Sequence, residues 1–105
     1  MTKETDMEME MSGPWDLEEA SQFLGDSKLP VRLSCIGSDG FPRVISLWYQ
    51  YRSGLLYCVT HRSSKLVAML KRNNRVGFEI AADAPPYHGI RGQGKVSMEL
   101  LGDDP

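Results

Sequence analysis

At 105 residues the chain has length for one domain and not for two. Hydrophobic residues are 41% and charged residues 25%, the composition of a soluble globular protein. The net charge of −2 is unevenly spread: Glu4, Asp6, Glu8 and Glu10 against Lys3 leave residues 1–14 at −3 and the remainder at +1.

No apolar run approaches the roughly eighteen residues of a membrane span. Met1 to Met11 lacks the basic and apolar regions of a secretory signal. Cys35 and Cys58 have neither the number nor the spacing of a disulfide framework or a C-x-x-C site, so they read as reduced core thiols of a cytoplasmic protein. A domain this small buries about two-thirds of its unfolded surface, which makes it a candidate for support by a ligand or a second subunit.

Residues 1–13 read as a disordered tail ending at Ser12-Gly13-Pro14. Asp16 is a good N-cap with Glu19 completing a capping box, and Leu17, Ala20, Phe23 and Leu24 form a helical stripe closed by Gly25. The period then changes to two. Leu29 to Ile36 reads as a strand with Val31, Leu33 and Cys35 on one face, and Gly37 to Gly40 is a turn. Phe41 to Tyr51 is a second strand and Leu55 to Thr60 a third, joined at Arg52-Ser53-Gly54, so 29–60 is expected to be a three-stranded meander. Helical spacing returns from Ser63 and stops at Asn73-Asn74. Arg75 to Ala81 and Ile90 to Leu101 are two more strands, separated by a proline-containing loop. The expected class is α+β, mainly β: an antiparallel five-stranded small barrel with flanking helices.

No acid lies between Asp39 and Glu79, a stretch holding Arg43, Arg52, Arg62, Lys65, Lys71, Arg72 and Arg75. Such a run suits a negatively charged partner, while a pI near 5.6 argues against nucleic acid. The junction from Tyr57 to Lys65 is the most informative segment. A strand ends, a polar loop follows, and a helix starts at two serines. Backbone N–H groups and the positive end of the helix dipole meet there. Thr60, Ser63 and Ser64 add hydroxyls, and Arg62 and Lys65 add charge, the donor set of a terminal phosphate. An ordinary serine cap with two surface cations has the same spacing. Arg43 and Arg91 are strand residues that could approach the same helix start. His61 and His88 lack metal-ligand spacing. Trp48, Tyr49 and Tyr51 read as core or interface aromatics.

From Trp15 onward the chain resembles the pyridoxamine 5′-phosphate oxidase-like flavoproteins of the FMN-binding split-barrel fold. The residues that carry this are Phe23-Leu24 leading to Leu29-Pro30-Val31-Arg32-Leu33, Asp39-Gly40-Phe41-Pro42-Arg43-Val44 running to Leu47-Trp48-Tyr49, and Leu56-Tyr57-Cys58-Val59-Thr60 with Ser64-Lys65 after it. Asn73-Asn74-Arg75-Val76-Gly77-Phe78 and Arg91-Gly92-Gln93-Gly94-Lys95-Val96 follow. The resemblance implies a split-barrel domain over 14–105, short at its C-terminus, and a homodimer with FMN between the subunits. Carried over by position, Ser64 and Lys65 match the phosphate pair and Thr60 and Tyr57 the strand end beside it. Arg43, Val44 and Ile45 match the strand passing the flavin ring, and Arg91 is a further match. The implied activity is that of an oxidoreductase acting on a small redox substrate. Family members continue for several dozen residues beyond this point. Their C-terminal residues for pyridoxal phosphate have no counterpart here, so oxidation of vitamin B6 is not implied. The same fold also hosts deazaflavin coenzymes and haem. A non-catalytic module binding a partner through the basic stretch and a degenerate form with no ligand are further alternatives.

Overall fold

The change from helical to strand periodicity is followed closely in space. The computed structural model describes residues 2–6 and 13–99. Over these residues the order is β1 (Thr2–Asp6), α1 (Leu17–Asp26), β2 (Val31–Ile36), β3 (Pro42–Leu47), β4 (Gln50–Arg52), β5 (Leu55–Val59), α2 (Lys65–Arg72), β6 (Arg75–Ala81) and β7 (Gly89–Glu99).

Helix α1 starts as its sequence dictates. The Asp16 carboxylate accepts from Glu19 N at 2.8 Å, and the Glu19 carboxylate accepts from Asp16 N at 3.2 Å. Its end differs from expectation: Gly25 lies inside the last turn, and the helix closes at Ser27, whose extended backbone donates to Phe23 O at 2.9 Å. The Ser27 hydroxyl accepts from Leu29 N at 3.1 Å, so a serine performs the stop that a glycine was expected to make.

The strands form one antiparallel sheet in the order β3-β2-β6-β7-β1-β5-β4. This corrects the meander expected over 29–60. β2–β3 and β4–β5 are hairpins, but β2 takes β6 as its other neighbour. Local turn signals specify hairpins and leave open which hairpin edges meet. The segment 41–51 is two strands because its partner stops first. Val31 pairs with Leu47, and the next partner would be Pro30, which has no N–H to give. Beyond Trp48-Tyr49 the chain pairs with β5 instead. Residues 2–6 form a strand where a disordered tail was expected. β1 lies between β5 and β7 and supplies both with backbone partners. Residues 7–12 and 100–105 lie outside the described residues.

One consequence of this order is metric. Seven strands laid flat would put β3 and β4 about 29 Å apart at the usual ~4.8 Å spacing. Yet Leu47 and Gln50 are separated by two residues, which reach at most about 11 Å. The sheet therefore curls until its first and last strands meet end to end. Among the described residues β3 and β4 do not pair with each other, so no closed barrel forms. The concave face holds the core: Val31, Leu33 and Cys35 of β2, Leu56 and Cys58 of β5, Val76, Phe78 and Ile80 of β6, and Val96 of β7. Leu24 of α1 and Leu66 and Leu70 of α2 pack into it. No described helix is long and apolar enough to cross a membrane.

The β4–β5 turn needs left-handed backbone at both central residues, Ser53 at φ 51° and Gly54 at φ 79°, the type I′ geometry that matches strand twist. Ile80 is fully buried at the centre of the core. Ile80→Ala is expected to cost about 2–5 kcal/mol, read as a lower urea midpoint at unchanged slope.

Candidate functional site

The junction between β5 and α2 gathers four of the sequence-predicted residues. His61 to Ser64 form a single turn, with Ser64 N donating to His61 O at 3.0 Å. Ser64 is the N-cap of α2, and its hydroxyl oxygen accepts from Val67 N at 3.3 Å. That leaves its proton to donate. Lys65 and Leu66 occupy the first helical positions, whose N–H groups have no acceptor within a helix. Lys65 is exposed, and the first turn holds no acid. Thr60 is half-buried just before the turn. Ser63 is drawn away from this set, its hydroxyl 2.7 Å from His61 Nδ1. Tyr57 lies on β5 with the Arg52 guanidinium 4.3 Å above its ring centroid, a cation–π contact that holds both side chains along the strand.

The other predicted residues lie elsewhere on the sheet. Arg43 is committed to its own hairpin: it donates to Asp39 Oδ2 at 2.9 Å and to Phe41 O at 3.2 Å. Its guanidinium lies over Gly37, where a Cβ would come within 3.0 Å of Cζ. These hydrogen bonds run within its own hairpin rather than to Ser64 or Lys65. Ile45 pairs with Leu33 and packs on the core, and Val44 faces outward with 70% exposure. Because β3 ends the strand order, its edge away from β2 has no strand partner among the described residues. Arg91 is exposed on β7 opposite Glu79, and Glu79 faces Arg32 across β2 with 3.9 Å between charged atoms.

Three features escaped the sequence reading. The aromatics of the 48–51 segment divide: Trp48 is 73% exposed, whereas Tyr49 donates to Leu24 O at 2.9 Å and Tyr51 lies 3.0 Å from Ser21 Oγ. Burial raises the Tyr49 phenol above its usual 10.0. Strand alternation across 47–51 carries this division, once the strand is seen to break at Trp48. An open cleft of about 530 Å³ lies along α1, walled by Trp15, Phe23, Asp26 and Leu29. It shares no residue with the predicted site. Trp15 meets Phe23 in a tilted contact with ring centroids 5.0 Å apart and His88 edge-on at 5.7 Å. Among the described residues no group of three or more His, Cys, Asp or Glu comes together as a metal site would require.

No protein-family model matches the chain, and no curated protein matches it. Among solved structures, the chain is similar to a conserved hypothetical protein from Mycobacterium tuberculosis, with a TM-score of 0.71 and 24% identity. The match covers 85% of this chain and 56% of that one. The chain thus spans just over half the length of that protein, and the likeness is one of fold.

The Asp39–Arg43 pair gives a testable local electrostatics. The hydrogen bond from Arg43, then that from Phe41 N, holds the Asp39 carboxyl below its ordinary 3.8. A depressed carboxyl contributes stability that is complete above its unfolded value and is lost as pH falls through the lowered one. Titration of Asp39 by carboxyl chemical shift is expected to give a midpoint below 3.8 in the native chain. In Arg43→Ala the midpoint is expected to move back up.

Proposed function

We propose that the protein is an FMN-binding flavoprotein of the pyridoxamine 5′-phosphate oxidase-like, split-barrel kind, acting as a homodimeric oxidoreductase on a small substrate. The observation that carries this reading is the start of α2: an acid-free first turn with Ser64 free to donate, Lys65 at the first position and Thr60 beside them. A phosphate monoester is dianionic near neutral pH and takes short donors and positive charge together.

The fold supports the same reading. A sheet curled until β3 and β4 meet end to end, with no ladder between them among the described residues, is compatible with a barrel left open along one seam. The unpaired edge of β3 offers backbone N–H and C=O groups to the polar rim of a planar ring, and exposed Val44 offers an apolar surface. Ile36, Val44 and Trp48 alternate onto the outward side of β2 and β3 at 38%, 70% and 73% exposure. That side suits coverage by a second subunit. The bound flavin would supply the redox chemistry; the chain's residues would hold the phosphate, orient the ring and limit solvent access. Arg43, held by Asp39, contributes to the shape of the β2–β3 turn in this scheme and gives no charge to the phosphate.

The deciding experiment is an absorption spectrum of the purified protein, with any released chromophore identified by mass. Flavin bands and released FMN are expected. Ser64→Ala with Lys65→Ala is expected to lower FMN retention at least tenfold while leaving circular dichroism unchanged. Undiminished retention in that variant would remove the phosphate assignment. A deazaflavin or haem spectrum would keep the fold and replace the ligand.

A further inference from the structure

Helix α1 carries charge opposite to that of α2. From Asp16 to Asp26 there are four acids and no base. Three of the acids serve the helix. Asp16 and Glu19 form the capping box, and Glu18 and Glu19 lie in the first turn, where the helix dipole favours them. Asp26 is the exception. It is the last residue of the helix, where free carbonyls already make a negative end, and the last turn holds no basic residue. Among the described residues its carboxylate has no hydrogen bond or ion pair.

Aromatic surface stands beside this carboxylate. Glu19, Phe23 and Asp26 follow the i, i+4, i+7 spacing of one helix face and line the open cleft together with Trp15. The Trp15 and Phe23 planes meet at 43°, so the two rings form a wedge rather than a parallel stack. Phe23 and Leu29 pack against the core, which anchors the floor, and His88 supports Trp15 edge-on. Lys28 is the one base of the lining, against Glu19 and Asp26. At about 530 Å³ the cleft has the size of a small-molecule site.

We propose that this cleft binds a small organic cation, an alkylated ammonium with a compact apolar body. Its alkyl groups lie on Trp15, Phe23 and Leu29, and its charge lies against the Asp26 carboxylate and the negative end of α1. Alkylation suits the site because it spreads the charge over surface that a ring face can meet and makes the ion easier to take out of water. The placement of Asp26 is explained in the same way: an acid that does nothing for the end of its helix supplies the counter-charge of a ligand. The start of α2 and the end of α1 thus take ligands of opposite sign, and this inference does not depend on flavin binding.

The test uses the full chain and two probes of one shape, choline and 3,3-dimethylbutan-1-ol, in which carbon replaces the quaternary nitrogen. Trp15 and Trp48 are the only tryptophans, so Trp15 fluorescence is read in a Trp48→Phe background. Choline is expected to saturate the signal and to bind at least tenfold tighter than the alcohol. Asp26→Asn keeps the size of the side chain and removes its charge. It is expected to weaken choline at least tenfold, to leave the alcohol unchanged, and to keep the thermal midpoint at or above the native value. Lys28→Ala removes the competing cation and is expected to tighten choline. Equal binding of the two probes, no saturable signal, choline affinity unchanged in Asp26→Asn, or weaker binding in Lys28→Ala would overturn the proposal.

Discussion

Two residues, Trp48 and Tyr49, connect the strands at opposite ends of the sheet order. Most of the architecture depends on that short covalent tie. It forces curvature, curvature makes a concave face, and the concave face lets side chains from β2, β5, β6 and β7 share one core. The tie is itself held in place. The Tyr49 hydroxyl donates to the Leu24 carbonyl, and Tyr51 meets Ser21, so α1 is fastened to the bend by two phenols. Neither phenol leaves its polar tip without a partner, the condition for burying tyrosine at low cost.

The same curvature explains where polar chemistry can gather. A curled sheet spends its inner face on packing, so binding groups are left to the outer face, the strand ends and the helix starts. α2 begins within a few residues of β5 and is anchored by Leu66, Val67 and Leu70. Its N-terminus is therefore a fixed feature, while the Ser64 and Lys65 side chains remain at the surface. Rigid backbone carrying solvent-facing donors is the arrangement an anion site needs.

Much of the local structure was legible because it is written in adjacent residues. Asp16 and Glu19 specify a helix start, Val31, Leu33 and Cys35 a half-buried strand, and Ser64 with the Leu66–Leu70 stripe a second helix. Arg75–Ala81 matched its strand residue for residue. Apart from the stop of α1 at Ser27 rather than Gly25, the failures in the fold were non-local. The break at Trp48 falls where its next partner would be Pro30, just before β2. The pairing of β2 with β6 depends on where α2 returns the chain. Strand β1 arises from the separation of β5 and β7, which no property of Thr2–Asp6 announces. At the junction after β5, the helix start with Ser64 as cap was visible from spacing. The capture of Arg43 by Asp39 was not, because an i,i+4 charge pair reads as a hairpin ornament until the turn geometry is known.

The strand order also fixes when the fold can come together. β1 is bracketed by partners about fifty and ninety residues away in sequence, Thr5 with Leu56 and Thr5 with Val96. The hairpins β2–β3 and β4–β5 are local and need only short loops to close. The β2–β6 and β1–β7 ladders each close a long loop and carry most of the entropic cost of the topology. A growing polypeptide can make its hairpins early. It can assemble the middle of the sheet only after the residues up to Glu99 have emerged, so until then the apolar faces of β2 and β5 await the strands that will cover them.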